Sequence, residues 1–395
     1  MKKIVFFCIP AHGHTNPTLG VVHELVSRGH QVWYYSYHMM REKIEAAGAT
    51  FISCDDYDME QKLTPKDCVR IGKDLAFSTK ILVDTTLALD DKVCTDMEQL
   101  QPDCIVSDSM AVWGKMAAMK LGIPFVSSTT TFAFNKHSAK IMKQSIGEML
   151  RMILSMPQIT KQIKRLQKNG YPVRSILDII QNDNDTHTIV YTSPEFQPCS
   201  ETFSDRYTFV GPSIRPVSDR PEDLIQKTRD KLLYISMGTV NNDMMPLYKR
   251  CLTALADADY QVIMSVGNLV SIEEFGALPE HFAVYSHVDQ IAVLQQADAF
   301  ISHCGMNSVN ESLYFGVPLI MLPQTAEQSG VAERVSQLGA GIKLCKTDAA
   351  SIRTAVKTLF SDSTYHQNAA KICNGFQKCS GTKGAADKIL EVCEL

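Results

Sequence analysis

A chain of 395 residues is too long for one ordinary hydrophobic core and implies two domains. Apolar residues make up 45% and charged residues 21%, a globular composition, and a net charge of only -4 supplies no electrostatic footprint for nucleic acid or an anionic membrane. The 12 cysteines are scattered singly and form no C-x-x-C pair, which excludes a zinc ribbon or thioredoxin-like motif and makes a reduced cytoplasm the expected location.

The opening Met1-Lys2-Lys3, followed by Ile4-Val5-Phe6-Phe7-Cys8-Ile9, imitates a short signal peptide. The run breaks at Pro10, however, with no small-residue cleavage pattern after it. Residues 3–9 instead read as a strand buried on both faces, as in a parallel sheet. A loop follows over 11–17, then a helix over 17–28 with an apolar stripe of Leu19, Val22, Leu25 and Val26, ended by Gly29. Further strands are expected at 31–36, 104–107 and 125–127, with a helix over 110–120. Residues 59–91 read as irregular and 135–170 as helical and methionine-rich, both as insertions.

Gly211, Pro212, Pro216 and Pro221, set among polar and charged residues, mark an interdomain linker. The rhythm then restarts, with strands at 232–237, 261–266 and 299–302 and a helix over 244–256. This alternation predicts an α/β protein of two doubly wound, Rossmann-like halves, with chemistry on the loops after strands and a cleft between the halves as the natural site. No stretch reaches the ~18 apolar residues of a membrane helix, so a soluble chain is expected.

Five segments carry candidate chemistry. In Ala11-His12-Gly13-His14-Thr15-Asn16-Pro17 a dinucleotide fold would need G-x-G-x-x-G, which is absent; a histidine here is placed instead as a general base, or else caps the helix. Asp108 closes the strand 104–107 and can orient such a histidine and stabilise its imidazolium, the alternative being a helix cap. Ser236-Met237-Gly238-Thr239 offers close backbone approach and hydroxyls for phosphate oxygens, or a plain turn.

The richest segment is His303-Cys304-Gly305-Met306-Asn307-Ser308-Val309-Asn310-Glu311, followed by Glu327-Gln328. A strand enters a small-residue turn and a helix starts near Asn307, whose N-terminal dipole and free N–H groups suit an anion. Asn307 and Ser308 add donors, His303 adds a hydrogen bond or a charge, and Glu311, one turn deeper, suits a ribose diol. An ordinary capped helix is the alternative, since Asn and Ser are common caps. His287-Val288-Asp289-Gln290 can edge a base-binding slot.

This ordered set of segments resembles the family 1 nucleotide-sugar glycosyltransferases over essentially the full length, most of all the bacterial macrolide-glycosyltransferase branch. The resemblance implies a GT-B fold, with an acceptor-binding domain over 1–212, a nucleotide-sugar domain over 213–380, and a C-terminal helix over 381–395 that packs on the first. It implies an inverting transfer of a hexose, with glucose the favoured sugar, from a UDP-sugar to a hydroxyl of a hydrophobic small molecule such as a macrolide or polyphenol, without a metal or other cofactor. His14, matching the family's G-H-x-N-P loop, would be the base and Asp108 its partner. Ser236, Gly238, Thr239, His287, Val288, Gln290, His303, Gly305, Asn307, Ser308, Glu311, Glu327 and Gln328 would bind the donor: Glu311 at the ribose, Glu327 and Gln328 at the sugar hydroxyls.

Three positions depart from the family: where many relatives have Trp-Val-Pro-Gln beside the nucleobase, this chain has His287-Val288-Asp289-Gln290, and Glu327 replaces an Asp common in plant relatives. Phe132, Phe134 and Met142 are candidate acceptor contacts, with Met149, Met152 and Met156 continuing a stripe that core packing also explains. A monomer or weak homodimer is expected. The alternatives are a nucleotide-sugar-binding protein without transfer activity, or a UDP-N-acetylglucosamine epimerase on the same fold.

Overall fold

The computed structural model describes residues 1–57, 70, 74–135, 137–138, 146–180, 182, 185–214, 225–238 and 243–395, with the side chains of 146–153 outside that description. Thr239, Met142, Pro216 and Pro221 therefore lie outside the described residues. The chain divides into two units, one of Met1–Tyr191, Gln197–Ser213 and Ser380–Leu395, the other of Thr192–Phe196 and Ile214–Cys379.

In the first unit, strands β1 (Lys3–Phe7), β2 (Gln31–Ser36), β3 (Thr50–Ser53), β4 (Cys104–Asp108), β5 (Phe125–Thr129), β6 (His187–Val190) and β7 (Tyr207–Phe209) form one parallel sheet in the order β3-β2-β1-β4-β5-β6-β7. In the second, β8 (Leu232–Ser236), β9 (Gln261–Ser265), β10 (Phe282–Tyr285), β11 (Ala299–Ser302), β12 (Leu319–Met321) and β13 (Gly341–Lys343) run in the order β10-β9-β8-β11-β12-β13, also parallel. Both orders reverse direction beside the first strand of their unit, which is the doubly wound pattern. The helices are α1 (His12–Ser27), α2 (Arg41–Ala46), α3 (Leu75–Leu100), α4 (Val112–Leu121), α5 (Ile146–Lys168), α6 (Ile176–Ile180), α7 (Met245–Ala254), α8 (Gln290–Leu294), α9 (Met306–Tyr314), α10 (Ala326–Gln337), α11 (Ala349–Ser361), α12 (Ser363–Gln377) and α13 (Gly381–Val392).

The apolar run of β1 is explained by burial on both faces. Ile4 and Phe6 join Val21, Val22 and Leu25 of α1 and Ala385, Ala386 and Ile389 of α13. Val5 and Phe7 join Leu89, Val93 and Met97 of α3 and Trp113 and Ala117 of α4 on the other face. In β8, Leu233 and Ile235 pack with Leu247 and Tyr248 of α7 and Ile352 and Val356 of α11.

Three expectations are corrected. Residues 11–17 are not a loop: α1 starts at His12 and contains Pro17, because buried Thr15, Pro17 and Thr18 extend its stripe toward the N-terminus. Residues 75–91 are not irregular but lie in α3, capped by Asp74, whose side chain accepts from the Phe77 N–H at 3.0 Å. Its buried face includes Ala76, Thr79, Thr85 and Thr86, which mutes the apolar signal. The first unit is not contiguous over 1–212, since Thr192–Phe196 groups with the second. Arg334 of α10 holds that segment by donating to the carbonyls of Glu195 at 2.7 Å and Phe196 at 2.9 Å, and Phe196 packs edge-on against Phe376.

The layers of the first unit approach closely at Gly114 of α4, where an added Cβ would lie 2.8 Å from Phe7 Cβ and overlap Ser107 Oγ. Gly114→Ala should therefore lower stability by about 1–3 kcal/mol through overpacking, despite the better helix propensity of alanine. An unchanged denaturation midpoint would show that the two layers can separate without cost.

Candidate functional site

Each sheet opens at its carboxyl end, where the strand order reverses, and in both units the sequence-selected residues gather there. In the first unit β1 pairs with β4 in the register Phe7↔Ser107, so the segment after β1 and the last residue of β4 are neighbours. His14, in the first turn of α1, sits with its Nδ1 2.7 Å from Asp108 Oδ2. The Asp108 side chain is fully buried while that of His14 is 19% exposed. The Met110 main-chain N–H donates to Asp108 Oδ1 at 2.8 Å, so both carboxylate oxygens are held. Thr130, directly after β5, places its Oγ1 3.1 Å from the same His14 Nδ1. An ionised carboxylate at Nδ1 selects the Nδ1–H tautomer and leaves Nε2 as the basic nitrogen. His12, by contrast, has Nδ1 3.4 Å from Lys43 Nζ. Thr130 was not foreseen from sequence; its signal is a hydroxyl one residue beyond a strand next to the switch point.

In the second unit β8 and β11 end level, in the register Ser236↔Ser302, which sets His303 against Gly238. An added Cβ on Gly238 or on Gly305 would come within 2.6 Å of the His303 ring, so both positions require glycine for the imidazole to fit. Gly238 also has φ of 81°, in the region that favours glycine. Burial in this slot pushes the His303 pKa down to about 4, opposed in smaller measure by hydrogen bonding to the Ser236 main chain. Among the described residues no partner meets hydrogen-bond geometry with its buried Nδ1. Of the two contributions expected of His303, a hydrogen bond or a charge, burial favours the hydrogen bond: at neutral pH it is a neutral imidazole, able to donate one N–H.

The N-cap of α9 is Gly305, with no side-chain cap bond, and the first helical bond runs from the Val309 N–H to the Gly305 carbonyl. The helix starts at Met306 and neither Asn307 nor Ser308 caps it, so the capped-helix alternative does not describe these side chains. The N–H groups that precede Val309 point out of the helix end. Glu311, on the same face as Ser308, receives a 2.5 Å hydrogen bond from Gln290 Nε2, and Ser308 Oγ receives a longer one at 3.3 Å. Gln290 therefore reaches across to α9.

Asp289 is the N-cap of α8, its Oδ1 accepting from the Ile291 N–H at 3.0 Å and the Ala292 N–H at 3.3 Å. His287 is exposed and Val288 buried. Glu327 is exposed on the first turn of α10. Gln328 forms a capping box with Thr325: its Oε1 accepts from the Gln324 N–H at 2.8 Å and the Thr325 N–H at 3.2 Å. Ser236 Oγ accepts from the Gly238 N–H at 3.4 Å.

Of the acceptor candidates, Phe132 is buried and Phe134 exposed. Sequence reasoning missed Met39 and Met110, which follow β2 and β4. With Phe134 after β5 they leave three large apolar side chains 65%, 49% and 42% exposed just past the carboxyl ends of three strands of the first sheet. Apolar residues two to five places past a strand end are the signal that finds them.

The profile of the Erythromycin biosynthesis protein CIII-like C-terminal domain matches residues 249–381. The chain is 33% identical to the NDP-glycosyltransferase YjiC of Bacillus licheniformis over 98% of this chain and 97% of the relative. It is 31% identical to the UDP-glucosyltransferase YojK of Bacillus subtilis over 99% and 97%. Its structure is similar to that of CalG4, the calicheamicin glycosyltransferase, with a TM-score of 0.82, 26% identity, and coverage of 100% and 98%. The chain belongs to the family 1 nucleotide-sugar glycosyltransferases, in the bacterial branch that includes macrolide glycosyltransferases, and has their GT-B fold.

The glycine-lined slot has a pH consequence. Because His303 binds its proton more weakly when folded than an unfolded histidine near ~6.5, stability should be complete above that pH and fall as pH drops from about 6.5 toward 4. NMR titration should place the His303 midpoint about 4, and His303→Gln should flatten the stability slope in that window. A midpoint near 6.5 would contradict the slot.

Proposed function

We propose that this glycosyltransferase moves a hexose, glucose from UDP-glucose, to a hydroxyl of a hydrophobic small molecule by single displacement with inversion, in the cytoplasm. The observation that carries the reading is the 2.7 Å contact between partly exposed His14 and fully buried Asp108 at the first sheet's switch point. His14 Nε2 takes the proton of the acceptor hydroxyl as that oxygen attacks the anomeric carbon, and Asp108, fixed by the Met110 N–H, stabilises the imidazolium that forms. The bond between the anomeric carbon and the diphosphate breaks, and its electron pair leaves with the diphosphate.

The groups assigned to that developing charge are the outward N–H groups at the start of α9, the side chains of Asn307 and Ser308, and a neutral His303 donating one hydrogen bond. This assignment calls on dipoles and donors and needs no metal. Glu311 is assigned to the ribose diol. Glu327 and the Nε2 group of Gln328 are assigned to the sugar hydroxyls, since the capping box already engages Gln328 Oε1. Met39, Met110 and Phe134 are assigned to the apolar acceptor, in keeping with their exposure just past strand ends of the first sheet. Support for glucose and for UDP comes from the Bacillus relatives, and the 11 free cysteines among the described residues fit a reducing compartment.

Incubation with UDP-glucose and a panel of phenols and macrolides, read by mass spectrometry, should yield hexose adducts. His14→Ala should lower kcat by roughly 10²–10⁴-fold with little change in UDP affinity, and Asp108→Asn should lower it in the same direction. Full activity of His14→Ala would refute the base assignment. Conversion of UDP-N-acetylglucosamine without any acceptor would point to epimerisation instead.

A further inference from the structure

Tyr234 lies in the middle of β8, fully buried and stacked on Phe300 with ring centroids 4.7 Å apart. It is on the sheet face opposite Leu233 and Ile235, and its hydroxyl donates to Gln290 Oε1 at 3.4 Å. Gln290 in turn donates from Nε2 to Glu311 Oε2 at 2.5 Å and to Ser308 Oγ at 3.3 Å. A glutamine amide has one acceptor end and one donor end, and its two ends are otherwise nearly alike in shape. Whatever occupies the oxygen end decides which way the donor end points. Burial pushes the Tyr234 hydroxyl pKa up, so the group stays protonated and remains a donor.

Flipping the Gln290 amide would place its carbonyl oxygen against the Glu311 carboxylate and its NH2 against the Tyr234 hydroxyl, losing a charge-assisted bond. The chain of groups therefore has one favoured sense, from the tyrosine in the sheet core to the carboxylate on α9. Gln290 Nε2 holds Glu311 at Oε2, so the orientation of the amide contributes to the direction of the carboxylate.

We propose that Tyr234 is a positioning residue for donor recognition: by orienting the Gln290 amide it aims Glu311 at the 2′- and 3′-hydroxyls of the nucleotide ribose, and so sets discrimination between ribose and deoxyribose donors. This rests on the assignment of Glu311 to the ribose. In this proposal Tyr234 acts on the ribose through Gln290 and Glu311; its hydroxyl also hydrogen-bonds Ser236 and Ser265. A buried tyrosine kept merely for packing would instead affect all nucleotides alike.

The test measures dissociation constants for UDP and 2′-deoxy-UDP by calorimetry in wild type, Tyr234→Phe and Glu311→Ala. Tyr234→Phe keeps the ring and its stack on Phe300, and its melting temperature checks the fold. It should weaken UDP by about 3- to 10-fold, the scale of one hydrogen bond, while leaving 2′-deoxy-UDP nearly unchanged. In turnover the KM for the UDP-sugar should rise with kcat nearly constant. Should the phenylalanine variant not fold, Gln290→Leu should give the same selective loss. Equal weakening of both nucleotides, or none, in Tyr234→Phe would overturn the proposal while a wild-type preference for UDP lost in Glu311→Ala leaves the ribose assignment standing. Absence of that preference in wild type would sink the ribose assignment itself, and the relay with it.

Discussion

The arrangement depends on one topological constraint: in each sheet the connections from two adjacent parallel strands leave in opposite directions, so their carboxyl ends are left open between diverging loops. These strands are β1 and β4 in the first unit and β8 and β11 in the second. Register then decides what meets there. Phe7↔Ser107 brings the start of α1 beside Asp108, and Ser236↔Ser302 brings Gly238 against His303. The cores on both sides of β1 hold that register, because a one-residue slip would exchange the residues facing α1 and α13 for those facing α3 and α4.

The two units place the same residue type in opposite environments. His14 is paired to a buried carboxylate, a setting that stabilises an imidazolium, whereas His303 lies between two glycines with burial as the dominant influence and is neutral at physiological pH. The two roles proposed for them follow: one takes up a proton, the other stabilises a leaving group by a hydrogen bond from a preorganised, uncharged donor. The second role requires the glycines, since any side chain at Gly238 or Gly305 would expel the ring.

Much of this was legible in the sequence because parallel strands are buried on both faces and show as apolar runs, and because chemistry at strand ends follows from the strand positions. Asp108 and His303 could be placed that way. What could not be read were features that depend on partners distant in sequence. The buried threonines of α3 disguised a helix of 26 residues, and the first turn of α1 looked like a loop because Pro17 and Thr15 carry no strong helical signal. The neutral state of His303 depends on two glycines approaching the ring, and the engagement of Gln290 with Glu311 on a crossing between α8 and α9. Asp289, which as a sequence departure suggested a changed nucleobase slot, turned out to spend its carboxylate capping α8.

The central claim is a single displacement, with proton removal assigned to the first unit and leaving-group stabilisation to the second. The anomeric configuration of the product tests it most directly. With UDP-α-glucose as donor, NMR of the purified glycoside formed in the first turnovers should show only the β-linkage. An α-linked product would require a double displacement or a front-face mechanism and would contradict the account.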